Sequence, residues 1–197
     1  MDAYFTLAAP AEGKHTEKMS RFLAFAIPVD SVEQAKAEIA RKQNEYHDAR
    51  HVCWAYMVGP KRSDYLSSDN GEPSGTAGKP ILGQINSFNL TDIVIIVVRY
   101  FGGIKLGTSG LIAAYRQAAR LAIEAGQIEE RHERAQLRFT FPYMSMNDVM
   151  RIAKLPQCRI TDQQFDNTCS MTIECNADDA EMLRGRLDAV DGLTFVQ

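Results

Sequence analysis

The chain of 197 residues lacks the marks of secreted, membrane-spanning and dinucleotide-binding proteins. Its N-terminus has no basic segment followed by a long apolar one, which predicts that no signal peptide is present. No run approaches the roughly 18 apolar residues that span a bilayer. The G-x-G-x-x-G fingerprint is absent, as is the phosphate loop ending in G-K-[ST]. We therefore expect a cytoplasmic protein that carries no cofactor.

Cysteine and net charge are also scarce. None of the four cysteines (Cys53, Cys158, Cys169 and Cys175) forms a C-x-x-C pair, so we expect buried, reduced thiols and no bound metal. The formal charge at pH 7 is only −3. Bulk charge therefore excludes general binding of polyanions, and any nucleic-acid surface must be a local patch.

The stretch from Asp92 to Gly126 is the most informative part of the chain. It opens with the β-branched run Ile93–Val98, which has no polar face and predicts a strand covered on both sides. A glycine-rich loop follows, and then a helix that Thr108 or Ser109 caps and Gly126 closes. A loop before a helix N-terminus favours an anion, because backbone N–H groups and the helix dipole both attract negative charge. The candidate anion-binding residues here are Arg99, Gly102, Gly103, Lys105, Gly107, Thr108, Ser109 and Gly110.

Two interpretations of these glycines stay open. In the first, they only permit positive φ angles and close packing of the helix on the strand. In the second, they expose backbone amides to phosphate, carboxylate or a partner chain.

A second stretch, Ser67–Pro80, is dense in residues that form turns and break strands. Acidic and small residues alternate in it, which a plain surface loop does not explain. Its end predicts the start of another helix, in which Pro80 lies in the first turn. His51 opens the predicted strand Ala49–Val58 beside this loop. The candidate binding residues are Asp69, Glu72, Ser74, Thr76, Lys79 and His51.

The remaining pattern predicts an α+β protein of two domains. Met1–Met19 has the composition of a loose arm, and Gln127–His132 that of a charged linker. Residues 1–130 would form the first domain and residues 133–197 the second. In the second domain, segments in which apolar and polar residues alternate predict strands, and segments with apolar residues at helical spacing predict helices. The predicted elements follow in the order βαββαβ, which is typical of a ferredoxin-like sandwich. Fold alone assigns no function.

The two glycine-rich stretches resemble the motifs of the IMPACT/YigZ family. Ser68–Pro80 reads S-D-N-G-E-P-S-G-T-A-G-K-P, and Val97–Leu111 reads V-V-R-Y-F-G-G-I-K-L-G-T-S-G-L. Ala49–Cys53, A-R-H-V-C, resembles the family's strand before them. The resemblance implies a first domain with a βαβ-type fold like the second domain of ribosomal protein S-five. It also implies a ferredoxin-like second domain similar to domain five of elongation factor G.

The resemblance further implies a function, since eukaryotic relatives regulate translation by protein contact. We therefore expect a binding or regulatory protein of translation that contacts RNA phosphate or a protein partner through its glycine-rich loops. Its partner would be the ribosome, RNA or a translation-regulatory protein. The alternative is an enzyme acting on a small phosphorylated or anionic substrate, suggested by Asp69 and Glu72 near a glycine loop and by a resemblance to small-molecule kinases.

Overall fold

The structure, a computed structural model, describes residues 3–166 and 168–196. Met1, Asp2, Asn167 and Gln197, which the sequence-based domain bounds include, lie outside the described residues. The chain divides into two compact units of mixed α/β structure, a larger one from Tyr4 to Arg131 and a smaller one that begins at His132 and also takes in Ala3. No helix of the described residues is long and apolar enough to cross a membrane.

The chain from Ala3 to His132 contributes seven strands and three helices. They are β1 (Ala3–Leu7), β2 (Ala11–Glu17), β3 (Ser20–Pro28), α1 (Val32–Glu45), β4 (His51–Val58), β5 (Asp64–Ser68), α2 (Gly78–Ser87), β6 (Ile93–Tyr100), α3 (Gly107–Ala125) and β7 (Ile128–His132). Five strands form one sheet in the order β2-β3-β6-β4-β5, in which every neighbouring pair is antiparallel. Strands β3 and β4 therefore run parallel to each other with β6 between them, and α1 connects them.

Strand β6 lies at the centre of this sheet and is covered on both faces, as its β-branched run predicts. Residues Ile93 to Val98 have no exposed surface. Ile93, Ile95 and Val97 pack against α2 and α3, and the residues between them pack on the side of α1. The fully apolar run thus reflects a strand between two layers of helices, here in an antiparallel sheet.

Two predictions about the ends of the larger unit are wrong. The segment from Ala3 to Met19 is not a loose arm, because it forms β1 and β2. Its polar residues misled the prediction, since β2 alternates exposed with half-buried residues at the edge of the sheet. Gln127–His132 is likewise not an open linker: Ile128–His132 forms β7, which pairs with β1.

The smaller unit contains the predicted element order. Its elements are β8 (Arg134–Phe141), a short 3-10 turn (Tyr143–Ser145), α4 (Met146–Ala153), β9 (Arg159–Gln164), β10 (Cys169–Asn176), α5 (Ala177–Asp188) and β11 (Thr194–Phe195). The strands form an antiparallel sheet in the order β11-β8-β10-β9. One face of the sheet, including Phe139 and Phe141, packs with Val149 of α4 and Leu183 of α5 in a single core.

Candidate functional site

The register of the central strands places the first candidate residues together. His51 on β4 lies opposite Arg99 on β6 in the antiparallel ladder. Both project from the sheet face that carries α2 and α3, because residues two apart on a strand share a face and Cys53 and Val97 belong to the core on that side. Arg99 is near the end of its strand, where the apolar cover stops. The candidate site therefore lies at the edge of the apolar core, next to the end of β6.

Arg99 and Glu72 form an ion pair inside the protein. Nη1 of Arg99 donates to Oε1 of Glu72 across 2.7 Å, and the Tyr115 hydroxyl donates to the same oxygen across 2.7 Å. Only 7% of the Arg99 side chain and 3% of the Glu72 side chain are exposed. Arg99, proposed as an anion-binding residue, lines the cleft but has no free charge to offer, since Glu72 already neutralises it.

The hydroxyl of Tyr115 also accepts a hydrogen bond from the thiol of Cys53, across 3.4 Å. The same thiol lies 2.9 Å from the carbonyl oxygen of Asp69. Burial raises the pKa of Cys53 to about 12 and raises the pKa of Tyr115 far above its ordinary value. Both groups stay protonated at neutral pH and act as hydrogen-bond donors within the protein. Of the other thiols, Cys169 and Cys175 are buried and Cys158 is partly exposed.

The imidazole of His51 is held by the acidic loop. Its Nδ1 lies 2.9 Å from the carbonyl oxygen of Asn70. A carbonyl oxygen only accepts, so Nδ1 carries the proton and Nε2 of the neutral ring is left as an acceptor. This Nε2 lies 4.0 Å from Oε2 of Glu72, which is beyond hydrogen-bond distance.

A cleft of about 400 Å³ joins the two glycine-rich stretches. Its lining residues are Arg50, His51, Glu72, Pro73, Arg99, Phe101, Lys105, Leu106, Gly107, Thr108 and Leu111. Six of the residues proposed from the sequence are therefore in one place, contributed by β4, by β6, by the loop before α2, and by the loop before α3 with the first turn of that helix. In the described residues, neither Arg50 nor Lys105 forms an ion pair, and both side chains are exposed.

Helix α3 begins at this cleft without a side-chain cap. It starts at Gly107, with Leu106 in the capping position, and no side chain accepts from its first N–H groups. The prediction that Thr108 or Ser109 caps it is wrong, because both residues already lie in the first turn. Gly126 ends the helix as predicted. The uncapped N–H groups stay available to an anion, since the first four have no partner within a helix.

Asp69 has a structural role at the start of α2. Its carboxylate accepts from the backbone N–H groups of Gly75, Ala77 and Gly78 at 2.8–3.0 Å. Burial by itself raises the pKa of Asp69, but these three bonds outweigh it and leave the pKa below its ordinary value. Thr76 also acts within the loop, since its hydroxyl donates to the carbonyl of Pro73 across 2.6 Å. Neither residue lines the cleft.

The other proposed residues are distributed around the cleft or away from it. Lys79 lines a different, larger cleft of about 560 Å³ with Gly83, Gln84 and Arg116. The residues Ser74, Gly102, Gly103, Ser109 and Gly110 do not line the 400 Å³ cleft. In the part of the chain that the structure describes, no group of three or more His, Cys, Asp or Glu side chains could hold a metal ion.

Two neighbouring glycines in the loop are required for different reasons. Gly103 has a φ of +91° and open space around it, so only its backbone conformation excludes other residues. Gly102 lies against the β2–β3 turn, where a Cβ atom would come within 2.1 Å of the backbone of Met19. The first interpretation of the glycines therefore holds at these two positions and also at Gly107, whose φ is +71°. The second interpretation concerns the uncapped N–H groups at the start of α3.

Sequence reasoning missed three features of the cleft. Arg50 was treated only as part of a strand motif, yet it lines the cleft together with Lys105. Tyr115 was not among the candidate residues, whereas its hydroxyl donates to Glu72. Phe101 covers the guanidinium of Arg99 at 5.6 Å from its ring centroid, and 53% of it remains exposed. For Phe101, the signal available in the sequence was an aromatic residue between two charged residues, Arg99 and Lys105.

Comparison with known proteins adds a consistent set of relatives. Residues 18–123 match the Impact N-terminal domain. An IMPACT family member of Haemophilus influenzae is 38% identical over 151 residues, 75% of this chain and 73% of that protein. The IMPACT family member YigZ of Escherichia coli is 45% identical over 117 residues, 58% of this chain and 57% of its own.

More distant relatives include a eukaryotic one. The IMPACT homologue of Saccharomyces cerevisiae is 29% identical over 116 residues, 56% of this chain and 44% of that protein. The chain therefore spans less than two thirds of the Escherichia coli and yeast proteins. The crystal structure of a hypothetical protein matches over 100% of this chain and 97% of its own, with a TM-score of 0.76 and 29% identity.

Proposed function

The chain belongs to the IMPACT family, and from this premise we propose that it is a binding protein with a regulatory role in translation. In this proposal it contacts the ribosome, RNA or a translation-regulatory protein through the cleft between its glycine-rich loops. Membership in the family supports the translation role, because regulation of translation is the function that the resemblance to the eukaryotic members implies. The group recognised is an anion, either RNA phosphate or the carboxylates of an acidic segment.

The observation that carries this proposal is the electrostatics of the 400 Å³ cleft. The charge of Arg99 is already neutralised by Glu72, whereas Arg50 and Lys105 have no ion pair among the described residues. The uncapped start of α3 adds the positive end of a helix dipole at the same place. A protein whose net charge is negative thus has a local, positively charged surface built by its most distinctive sequence motifs.

The proposal extends to the fold names that the sequence suggests. We assign the larger unit to the fold of ribosomal protein S-five domain two, which the β3–α1–β4 crossover around β6 supports. We assign the smaller unit to the ferredoxin-like folds. Its element order βαββαβ and strand order β11-β8-β10-β9 support this assignment.

Ribosome cosedimentation with charge-reversal variants tests the function. We expect the wild-type protein to sediment with ribosomes or RNA and Arg50→Glu/Lys105→Glu to stay in solution. If two to four phosphates are contacted, log K should fall against log[salt] with a slope of roughly −1.5 to −3.5. Arg99 is left unchanged, because reversing a buried charge would test folding instead.

The matched control reverses two exposed lysines elsewhere on the larger unit, Lys36→Glu/Lys61→Glu. It changes the net charge by the same amount, so it should sediment like the wild type if the cleft is the contact surface. Equal loss in both double variants would indicate only bulk charge. Sedimentation of all three proteins to the same extent would reject the cleft as the contact surface.

Two observations weigh against the enzyme alternative. The carboxylate of Asp69, one of its two proposed acids, is engaged by three backbone N–H groups. The thiol of Cys53 is buried with a raised pKa, so it is a poor nucleophile. A binding role requires neither group to react.

A further inference from the structure

Glu72 has one carboxylate oxygen that the surrounding protein does not use. Oε1 accepts from both Arg99 and Tyr115, whereas Oε2 accepts no hydrogen bond from residues 3–166 or 168–196. Its neighbour Nε2 of His51 is 4.0 Å away. The side chain is almost wholly buried and lines the cleft. Since Glu72 lines the cleft, Oε2 is available to accept a hydrogen bond from a ligand.

Nε2 of His51 is a second acceptor at the same place. The bond from Nδ1 to the Asn70 carbonyl leaves Nε2 of the neutral ring unprotonated. Two acceptors about 4 Å apart match the two hydroxyl groups of a vicinal diol, each of which donates one hydrogen bond. The floor of the cleft therefore suits a ligand with adjacent hydroxyls.

The mouth of the same cleft suits an anion and an aromatic ring. Lys105, Arg50 and the first N–H groups of α3 supply positive charge. Phe101 offers a half-exposed ring, and its contact with the Arg99 guanidinium gives it a fixed neighbour. Bases stack on such rings, and phosphate oxygens bind at helix N-termini.

We propose that the cleft binds a ribonucleoside 5′-phosphate, either free or as one residue of an RNA chain. The ribose hydroxyls donate to Glu72 and His51, the phosphate lies at the start of α3 beside Lys105, and the base stacks on Phe101. A volume of about 400 Å³ is within the range of about 300–1,000 Å³ for small-ligand sites. An acidic peptide fits less well, because it brings carboxylates towards Glu72.

This inference rests on the proposed use of the cleft as the anion-binding surface, and it specifies the ligand. The test measures binding of adenosine 5′-monophosphate by calorimetry, with its 2′-deoxy analogue, inorganic phosphate and hexaglutamate as comparisons. We expect the ribonucleotide to bind at least about tenfold more tightly than the deoxy analogue, since the latter loses one hydrogen bond to Glu72 or His51.

Three variants of the full chain locate the binding. Lys105→Gln, which is exposed and should fold, is expected to weaken ribonucleotide binding about tenfold. The matched control Lys61→Gln should leave it unchanged. Glu72→Gln should narrow the preference for ribose over deoxyribose. If Glu72→Gln does not fold, the ribose preference of the wild type and the effect of Lys105→Gln decide the matter.

The outcomes separate the two sources of the ligand. Binding of the mononucleotide identifies a free nucleotide, whereas binding of only an oligoribonucleotide, more tightly than its deoxy counterpart, identifies an RNA chain. Equal affinity for ribose and deoxyribose forms overturns the inference, as does stronger binding of hexaglutamate or no nucleotide binding at millimolar concentrations. Ribosome cosedimentation that depends on Arg50 and Lys105 without ribose preference would reject this inference alone. Ribose-selective binding without cosedimentation would reject the translation role alone.

Discussion

Arg99 and Glu72 share a hydrogen bond of 2.7 Å in a place that almost excludes water. Each charge would be costly to bury alone, and the pair is tolerated because the two lie in contact. The same contact fixes the position of Glu72 at the floor of the cleft. The carboxylate of Glu72 is therefore both a member of the buried ion pair and a candidate group for binding a ligand.

Breaking this pair from one side should destabilise the larger unit. We expect Glu72→Leu to lower the free energy of unfolding by about 3–5 kcal/mol, because it leaves the Arg99 charge buried without a partner. Arg99→Met should act similarly. The double variant should lose less than the sum of both, since neither charge remains. Urea unfolding followed by the fluorescence of Trp54, the single tryptophan, measures this. Strictly additive losses would contradict a coupled pair.

The cap formed by Asp69 should make stability depend on acid pH. Its pKa is below its ordinary value in the folded protein, so its stabilising effect is present above about pH 4 and is lost as pH falls through the folded pKa. Asp69→Ala should cost about 1–2 kcal/mol at pH 7. The gap from the wild type should shrink below pH 4. Asp64→Ala, at an exposed acid, is the control and should show no such gap.

Substitution by alanine should change the stability of the protein by different amounts at three of its glycines. Gly103→Ala should cost about 1–2 kcal/mol through its positive φ alone. Gly102→Ala should cost more, because its methyl group meets the Met19 backbone. Gly83→Ala, within α2 and with open space around it, should be neutral or stabilise by up to about 1 kcal/mol. Thermal unfolding ranks them, and equal effects would refute the assignment of separate causes.

The thiols should differ in reactivity. Burial holds the pKa of Cys53 at about 12, so at pH 8 only about one part in 10⁴ is thiolate. We expect Cys158, which is partly exposed, to be alkylated first and Cys53 to react only after unfolding. Mass spectrometry of peptides after a short pulse of iodoacetamide reports this order. Early labelling of Cys53 would show that the cleft opens to the core.

The boundary between the units lies at the end of β7. Since β7 pairs with β1, we propose that a fragment ending at His132 unfolds cooperatively and that one ending at Gln127 is less stable. Limited proteolysis should spare Ile128–His132 for the same reason. Comparing the two fragments by denaturant unfolding tests the proposal. Equal stability of both fragments would mean that β7 contributes nothing to the larger unit.

The local pattern of the sequence predicted most helices and strands. The wrong predictions concern features that depend on contacts between residues far apart in the chain. The run Ile93–Val98 and the helix after it are visible in sequence, because burial on both faces leaves an entirely apolar pattern. Strand β2 is not, since an edge strand keeps its polar residues. The glycine motifs indicated a site, but Arg99 looked like a free cation. Its partner Glu72 lies 27 residues away in the chain, a distance at which no pairing rule operates.

The pairing of β1 with β7 has a consequence for synthesis of the protein. A ribosome makes β1 before the other strands of the larger unit, but its partner strand emerges only after nearly the whole of that unit has been translated. At about 5–20 residues per second, this delay is on the order of ten seconds. Until then β1 has an unpaired edge, and β2 lacks α3, against which Gly13 packs. The nascent chain must therefore be shielded from other strands during that interval, or its first strands are open to incorrect partners.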